Sequence, residues 1–147
     1  MRVTLKGLPA FALLLTCASA AGAQGYSRTE LPRYTQSMYR YLLDWAVSGQ
    51  LRQSTETQTG TTNQYLQYGP NKAIAICIDW QQSTPRAPAP VAIGQSWDQR
   101  SVARARESAM FYCERFRRGR ACECVMVDVN EKSVFELPPT FVARHFR

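Results

Sequence analysis

The stretch NKAIAICIDW, residues 71–80, decides the fold. Ile74, Ile76, Ile78 and Trp80 alternate with Ala73, Ala75, Cys77 and Asp79. Successive side chains of a strand point to opposite faces, so this segment reads as a strand with one bulky face and one small face. Both faces are apolar, which means a strand covered on both sides. A helix comes closest to a sheet where the residues beneath it are small, so the Ala73, Ala75, Cys77 face calls for a tightly docked helix.

Reading outward toward the C-terminus, QQSTPRAPAPVA (81–92) is rich in Pro and Ala and is expected to be a loop, because proline interrupts either regular structure. Asp98 or Ser101 can cap a helix running to about Arg117, with Val102, Ala105, Ala109, Cys113 and Phe116 on its apolar stripe. Arg104, Arg115 and Arg118 fall on the opposite side, and Gly119 ends the helix. CECVMVDV (122–129) alternates again, with Cys122, Cys124 and Met126 on one face and Val125, Val127 and Val129 on the other. Asn130, Glu131 and Lys132 turn into SVFEL (133–137), expected as a third strand, and Pro138-Pro139 closes the regular part.

Toward the N-terminus, QLRQSTETQTGTTNQ (50–64) has no periodicity and reads as a loop. Before it, Tyr26 to Ser48 reads as an amphipathic helix. Leu31, Tyr34, Met38, Tyr41, Leu42 and Trp45 lie on one stripe, Ser27 and Glu30 form a capping box, and Gly49 is the stop. Its stripe suits the bulky isoleucine face. The first 23 residues have Arg2 and Lys6, an apolar run from Pro9 to Ala18, and small residues at Ala21 and Ala23, the layout of a cleaved secretory signal. The run is too short to span a bilayer, and the LLTC around Cys17 fits a lipid-attachment site poorly because Thr16 is too large there. The organisation expected is a signal peptide over 1–23, a helix and polar loop over 24–70, a core domain over 71–138, and a tail over 139–147.

The formal net charge is +7, and +5 once Arg2 and Lys6 have left with the signal; nearly all of the remaining positive charge is arginine. An exported chain has little access to nucleic acid, so the partners consistent with this charge are anionic surfaces, glycan or lipid headgroup, or an acidic protein. Arg115, Arg117, Arg118 and Arg120 cluster at a helix end, where positive charge also complements the helix dipole.

Four cysteines, Cys77, Cys113, Cys122 and Cys124, remain after the signal, an even number suited to disulfides in an oxidising compartment. Four cysteines permit three pairings. Cys113 shares its helical stripe with Ala105 and Ala109, and Cys122 and Cys124 share a strand face, so all four sulfurs can converge in one layer. The favoured pairs are Cys113–Cys122, across the ERFRRGRA turn, and Cys77–Cys124, from neighbouring strands. The C-x-C spacing is tighter than zinc sites use, Met110 and Met126 serve the core as well as they would serve copper, and a redox dithiol wants a C-x-x-C at a helix start. No metal or cofactor is expected.

Catalytic signals are weak. His145 is the only histidine and lies in the tail, where a solvated side chain is expected. Ser96 in GQSWD lacks the G-x-S-x-G pattern and reads as a loop before a helix. Asp79 and Asp128 lie near strand ends and could form a carboxylate pair only if those ends met. There is no phosphate-binding glycine loop and no H-E-x-x-H, and an enzyme is not expected.

The strand Lys72 to Ile76, Gly94 before the helix, Ala105, Ala109, Met110 and Cys113 on it, and Cys122 or Cys124 on the next strand together resemble the small exported domain of unknown function 4189. The likeness spans about residues 71–137 and implies a compact bacterial exported domain bridged from helix end to strand, with no catalytic residues to carry over. Cys77, the C-E-C doublet, the Pro-rich insertion and the N-terminal helix depart from that pattern. The fold expected is α/β (α+β): two helices on a small three-stranded sheet, stapled by disulfides. The function expected is a non-enzymatic binding or inhibitor-type module acting on an envelope or extracellular protein, with polyanion binding through Arg115–Arg120 as the alternative.

Overall fold

A computed structural model describes residues 25–53 and 64–147. The signal segment, Cys17 and the centre of the polar loop lie outside the described residues. A short 3-10 turn, Arg28–Glu30, leads into helix α1, Leu31–Gln53, followed by the single turn α2, Gln64–Gln67. Strands β1 (Ala73–Ile78) and β2 (Pro90–Ser96) precede helix α3 (Val102–Arg117), then β3 (Glu123–Val129), β4 (Lys132–Ser133) and helix α4 (Pro139–His145). The sheet is antiparallel throughout, in the order β2-β1-β3-β4.

β1 is central and all six of its residues are fully buried. Its two faces divide the interior as their side-chain sizes require. Ile74, Ile76 and Ile78 pack with Met38, Leu42 and Ala46 of α1 and with Phe135, Phe141 and Phe146. Ala73, Ala75 and Cys77 pack with Ala105, Ala109 and Cys113 of α3. The molecule is thus α1, sheet, α3 in three layers, an α+β fold.

Ser27 makes the capping box with Glu30, accepting from the Thr29 amide at 3.2 Å while Glu30 accepts from the Ser27 amide at 3.2 Å. Gly49 does not end α1, which continues to Gln53. On its buried side Tyr39 takes the place expected for Tyr41, which is 48% exposed. Ser101 caps α3, accepting from the Arg104 amide at 3.2 Å.

The sheet has four strands instead of three. β2 begins inside the proline-rich segment, at Pro90, and lies at the sheet edge, where a residue without an amide hydrogen is tolerated. Of the expected third strand, 133–137, only Ser133 falls in β4, together with Lys132 from the expected turn; Phe135 leaves the sheet to enter the α1-side core. Residues 139–147 are not a solvated tail: α4 buries Phe141, and Phe146 bridges back to Tyr26.

A bulge in β3 changes its pattern. Ile74 pairs with Asp128 but Ala75 with Met126, so Val127 is an extra residue. An extra residue inverts the facing of everything beyond it. Val129 accordingly joins the α3-side cluster instead of the other valines, and Asp128 turns into the α1-side core. There its carboxylate accepts from Tyr39 (2.7 Å), Tyr65 (2.5 Å) and the Glu131 amide (2.9 Å).

Candidate binding site

The sulfurs converge between β1, β3 and α3 as expected, but the pairing differs. Cys77 is joined to Cys122 and Cys113 to Cys124, with Cα separations of 5.4 and 6.1 Å. Arg118 and Gly119, both with positive φ, reverse the chain between α3 and β3. The reversal brings β3 back beside α3, where Cys113 on the helix bonds Cys124 on the strand. Cys124 stands opposite Cys77 in the strand ladder, but its side chain is taken by the helix, and Cys77 bonds Cys122 just ahead of β3. Among the described residues, the sulfurs of Cys77, Cys113 and Cys124 form the one cluster of metal-ligating groups, within 4.8 Å of one another, and each sulfur is held in a disulfide.

Ser96, Asp79, Asp128 and His145 are dispersed over the fold. Ser96 is buried at the end of β2, its hydroxyl donating to the Ala105 carbonyl at 2.6 Å, which ties strand to helix. Asp79 and Asp128 lie toward opposite ends of the sheet, since Asp128 pairs with Ile74 and Asp79 follows Ile78. Asp79 caps a turn, accepting from the Gln81 and Gln82 amides at 2.9 and 3.2 Å. His145 is half-buried against Phe141, ring centroids 4.5 Å apart, and accepts from Arg144 Nε at 3.1 Å. Burial, followed by the Arg144 charge, holds its imidazole below the usual histidine range.

The four arginines divide into two kinds. Arg117 is tied down, to Glu114 at 2.7 Å and to the Cys122 carbonyl at 3.0 Å. Arg115 and Arg118 are exposed and make no ion pair or side-chain hydrogen bond among the described residues. Arg120 crosses to the start of β2, where Nη1 donates to the Val91 carbonyl at 3.0 Å.

That contact marks one end of a groove of about 760 Å³ along the outer edge of β2. Among the described residues, β2 pairs with β1 alone. α3 runs antiparallel beside it: Ala105 meets Ser96, and further along Ala109 and Cys113 lie against Gly94. This close approach requires glycine, because a Cβ at residue 94 would overlap the Ala109 carbonyl and the Cys113 nitrogen. Ser108, Tyr112 and Phe116, spaced one helical turn apart, therefore form one wall parallel to the strand. Tyr112 and Phe116 stack with centroids 6.0 Å apart and are 38% and 48% exposed. Trp45 of α1 forms the opposite wall, Ile93 and Gln95 lie between, and Trp97, stacked on Tyr68 at 5.0 Å, closes the end away from Arg118 and Arg120.

The sequence placed Phe116 inside the core, so the groove was not visible from it. The missing element was β2, whose single-residue alternation of Val91, Ile93 and Gln95 with Ala92, Gly94 and Ser96 is present but short and preceded by three prolines. No family model, no curated protein and no solved structure matches the chain. Among the described residues, no helix is long and apolar enough to cross a membrane.

Proposed function

We propose that the chain is an exported, non-enzymatic binding module that captures a protein partner in the bacterial envelope or outside the cell, using the groove along β2. The observation that carries this is a groove flanked by the exposed rings of Tyr112 and Phe116 on one side and the half-buried Trp45 on the other, along a strand that among the described residues pairs only with β1. Large rings with a polar tip bury much area at small entropic cost and dominate protein interfaces. Two disulfides fit an oxidising compartment, and the first 23 residues supply the export signal. The resemblance to the exported domain of unknown function 4189 is supported by Gly94 beneath Ala109 and Cys113. A non-enzymatic role is supported by the way Ser96 and Asp128 spend their polar atoms on fold contacts.

Photo-crosslinking tests the proposal. A photoreactive residue replacing Tyr112 or Phe116, in protein expressed in its native envelope, is expected to trap one discrete partner, whereas the same residue at the exposed Arg33 of α1 traps none. Equal, diffuse trapping at both positions overturns it. A second reading, binding of anionic glycan or lipid headgroups, is favoured by the exposed Arg115 and Arg118. It predicts salt-sensitive retention on an anionic matrix, lost when Arg115 and Arg118 become Gln.

A further inference from the structure

We infer that Cys122 is the entry point of a disulfide relay: a thiolate attacking there frees Cys77, which takes Cys124 from Cys113 and so releases α3 from its bridge to the sheet. The inference concerns the sulfurs and goes beyond the binding-module proposal, since it stands or falls whatever the groove holds.

Accessibility selects the residue attacked. Cys77 and Cys113 are fully buried and Cys124 is 8% exposed, whereas Cys122, just ahead of β3, is only partly buried. Its surroundings are basic. Arg117 donates to the Cys122 carbonyl at 3.0 Å, and the exposed Arg118 and Arg120 precede it in the turn. Of the acidic neighbours, Glu114 is already paired with Arg117, and Glu123 follows Cys122 in the chain. A partly exposed cysteine among cations is where an anionic thiolate is drawn to attack.

Proximity sets the second step. The sulfurs of Cys77, Cys113 and Cys124 lie within 4.8 Å of one another, so a thiolate released on Cys77 is already beside the second bridge. Ala73, Ala75, Ala105 and Ala109 share that layer, and an apolar layer solvates an anion poorly, which favours its immediate reaction with the neighbouring bridge. Cys77 and Cys124 stand directly opposite in the strand ladder, and both belong to the α3-side layer. Directly opposed Cα atoms are about 4.5–5.5 Å apart, a separation a disulfide spans, since bridged Cα atoms lie about 4.4–6.8 Å apart. Cys124 is therefore the sulfur taken and Cys113 the one that leaves.

The co-reactant is a dithiol, the chemical class carried by thiol–disulfide oxidoreductases of oxidising compartments. One of its thiolates attacks Cys122 Sγ, forming a mixed disulfide, and the Cys77–Cys122 bond breaks with its electron pair on Cys77. The Cys77 thiolate attacks Cys124 Sγ, and the Cys113–Cys124 bond breaks with its pair on Cys113. The second dithiol sulfur then displaces Cys122 from the mixed disulfide. The dithiol loses two electrons and two protons and becomes a disulfide; the protons end on Cys113 and Cys122. The new Cys77–Cys124 bridge lies wholly within the sheet. α3 has no cysteine besides Cys113, so its C-terminal half, with Tyr112 and Phe116, is then held by packing alone.

The test treats the folded, oxidised protein with one equivalent of dithiothreitol at pH 8, quenches with acid, alkylates the free thiols and maps them by peptide masses. The species with two free thiols is expected to carry label on Cys113 and Cys122 and to retain a Cys77–Cys124 disulfide. Hydrogen exchange in that species is expected to be at least tenfold faster across Ala109 to Arg117, with β1 still protected. Cys122→Ser starts the relay without any reductant, because Cys77 has lost its partner; its single free thiol is expected on Cys113 in most molecules.

Label on Cys77 and Cys122 with Cys113–Cys124 intact overturns the relay, and so does label on Cys113 and Cys124 with Cys77–Cys122 intact. A Cys77–Cys113 bridge, or reduction of all four cysteines with no two-thiol species, overturns it equally. A free thiol that stays on Cys77 in Cys122→Ser has the same force. Unchanged exchange in α3 overturns the release of the helix. Failure of groove crosslinking bears on the binding module and leaves each of these readouts as it is.

Discussion

Gly94 and Asp128 are the two residues on which the local geometry depends most, and each yields a measurement. At Gly94 the α3 backbone lies so close that a methyl group meets the Ala109 carbonyl and Cys113 nitrogen, both main-chain atoms that cannot swing aside. Overpacking a core costs about 1–3 kcal/mol, sometimes more, so Gly94→Ala is expected to lose at least the upper part of that range in urea unfolding. Gly119→Ala is the comparison: nothing lies within 4 Å, and only its φ of +73° opposes a side chain, for about 1–2 kcal/mol. Equal losses would mean that the helix does not sit where it is placed. Around Asp128, the hydroxyls of Tyr39 and Tyr65 are both pushed well above the usual phenol range, by burial first and then by their hydrogen bonds to the carboxylate. A folded pKa above the unfolded one gives stability that is complete below about pH 10 and is lost as pH rises further. With both phenols neutral in the folded state, that loss approaches about 2.7 kcal/mol per pH unit. Unfolding free energies between pH 9 and 11.5 should show this slope, and Tyr39→Phe or Tyr65→Phe should each remove about half of it.

At the scale of elements, what the sequence disclosed depended on how far each pattern extended. β1 and α3 were legible because their large and small residues repeat over six or more positions, and the division of the interior between Ile and Ala faces followed from them. β2 was hidden by the prolines before it, since Pro90 is compatible with a strand only at an edge, and edge position is a property of the assembled sheet. Phe116 was assigned to the core for the same reason: without a strand ending beside it, nothing distinguishes a groove wall from an interior stripe. The β3 bulge was equally invisible, because alternation in CECVMVDV continues unbroken through the extra residue. α4 was missed because seven residues carry too little periodicity, yet it buries Phe141 to 1% exposure and its end bridges Tyr26. Phe141→Ala is expected to cost about 3–5 kcal/mol, read as a lowered urea midpoint, whereas a free tail would leave the midpoint unchanged. His145 on the same helix prefers to be neutral when folded. Stability should therefore be full above about pH 6.5 and decline as pH falls below it; His145→Gln should flatten that decline in melts taken between pH 5 and 7.5.

For the whole molecule, the disulfides settle how α3 is fastened to the sheet, and their connectivity is open to a direct measurement. In place of Cys113–Cys122 and Cys77–Cys124, the chain reversal at Arg118–Gly119 sets Cys113 against Cys124 and leaves Cys122 for Cys77. The two bridges close spans of 45 and 11 residues. Chain entropy then assigns about 4 kcal/mol to Cys77–Cys122 and about 3 kcal/mol to Cys113–Cys124. Replacing each pair with Ser should reveal that order in urea unfolding. Cys122 and Cys124 are separated only by Glu123, so cleavage after Arg, Lys and Glu together, without reductant, parts them. The expected digest holds the fragment from Ala73 to Arg86 joined to Ala121–Glu123, and the fragment from Ser108 to Glu114 joined to the one beginning at Cys124. The exchanged masses would establish Cys77–Cys124 with Cys113–Cys122 instead. α3 would then be fastened to the strand's entrance and not to its interior, Gly94 would lose its contact with Cys113, and the Tyr112–Phe116 wall would no longer run along β2.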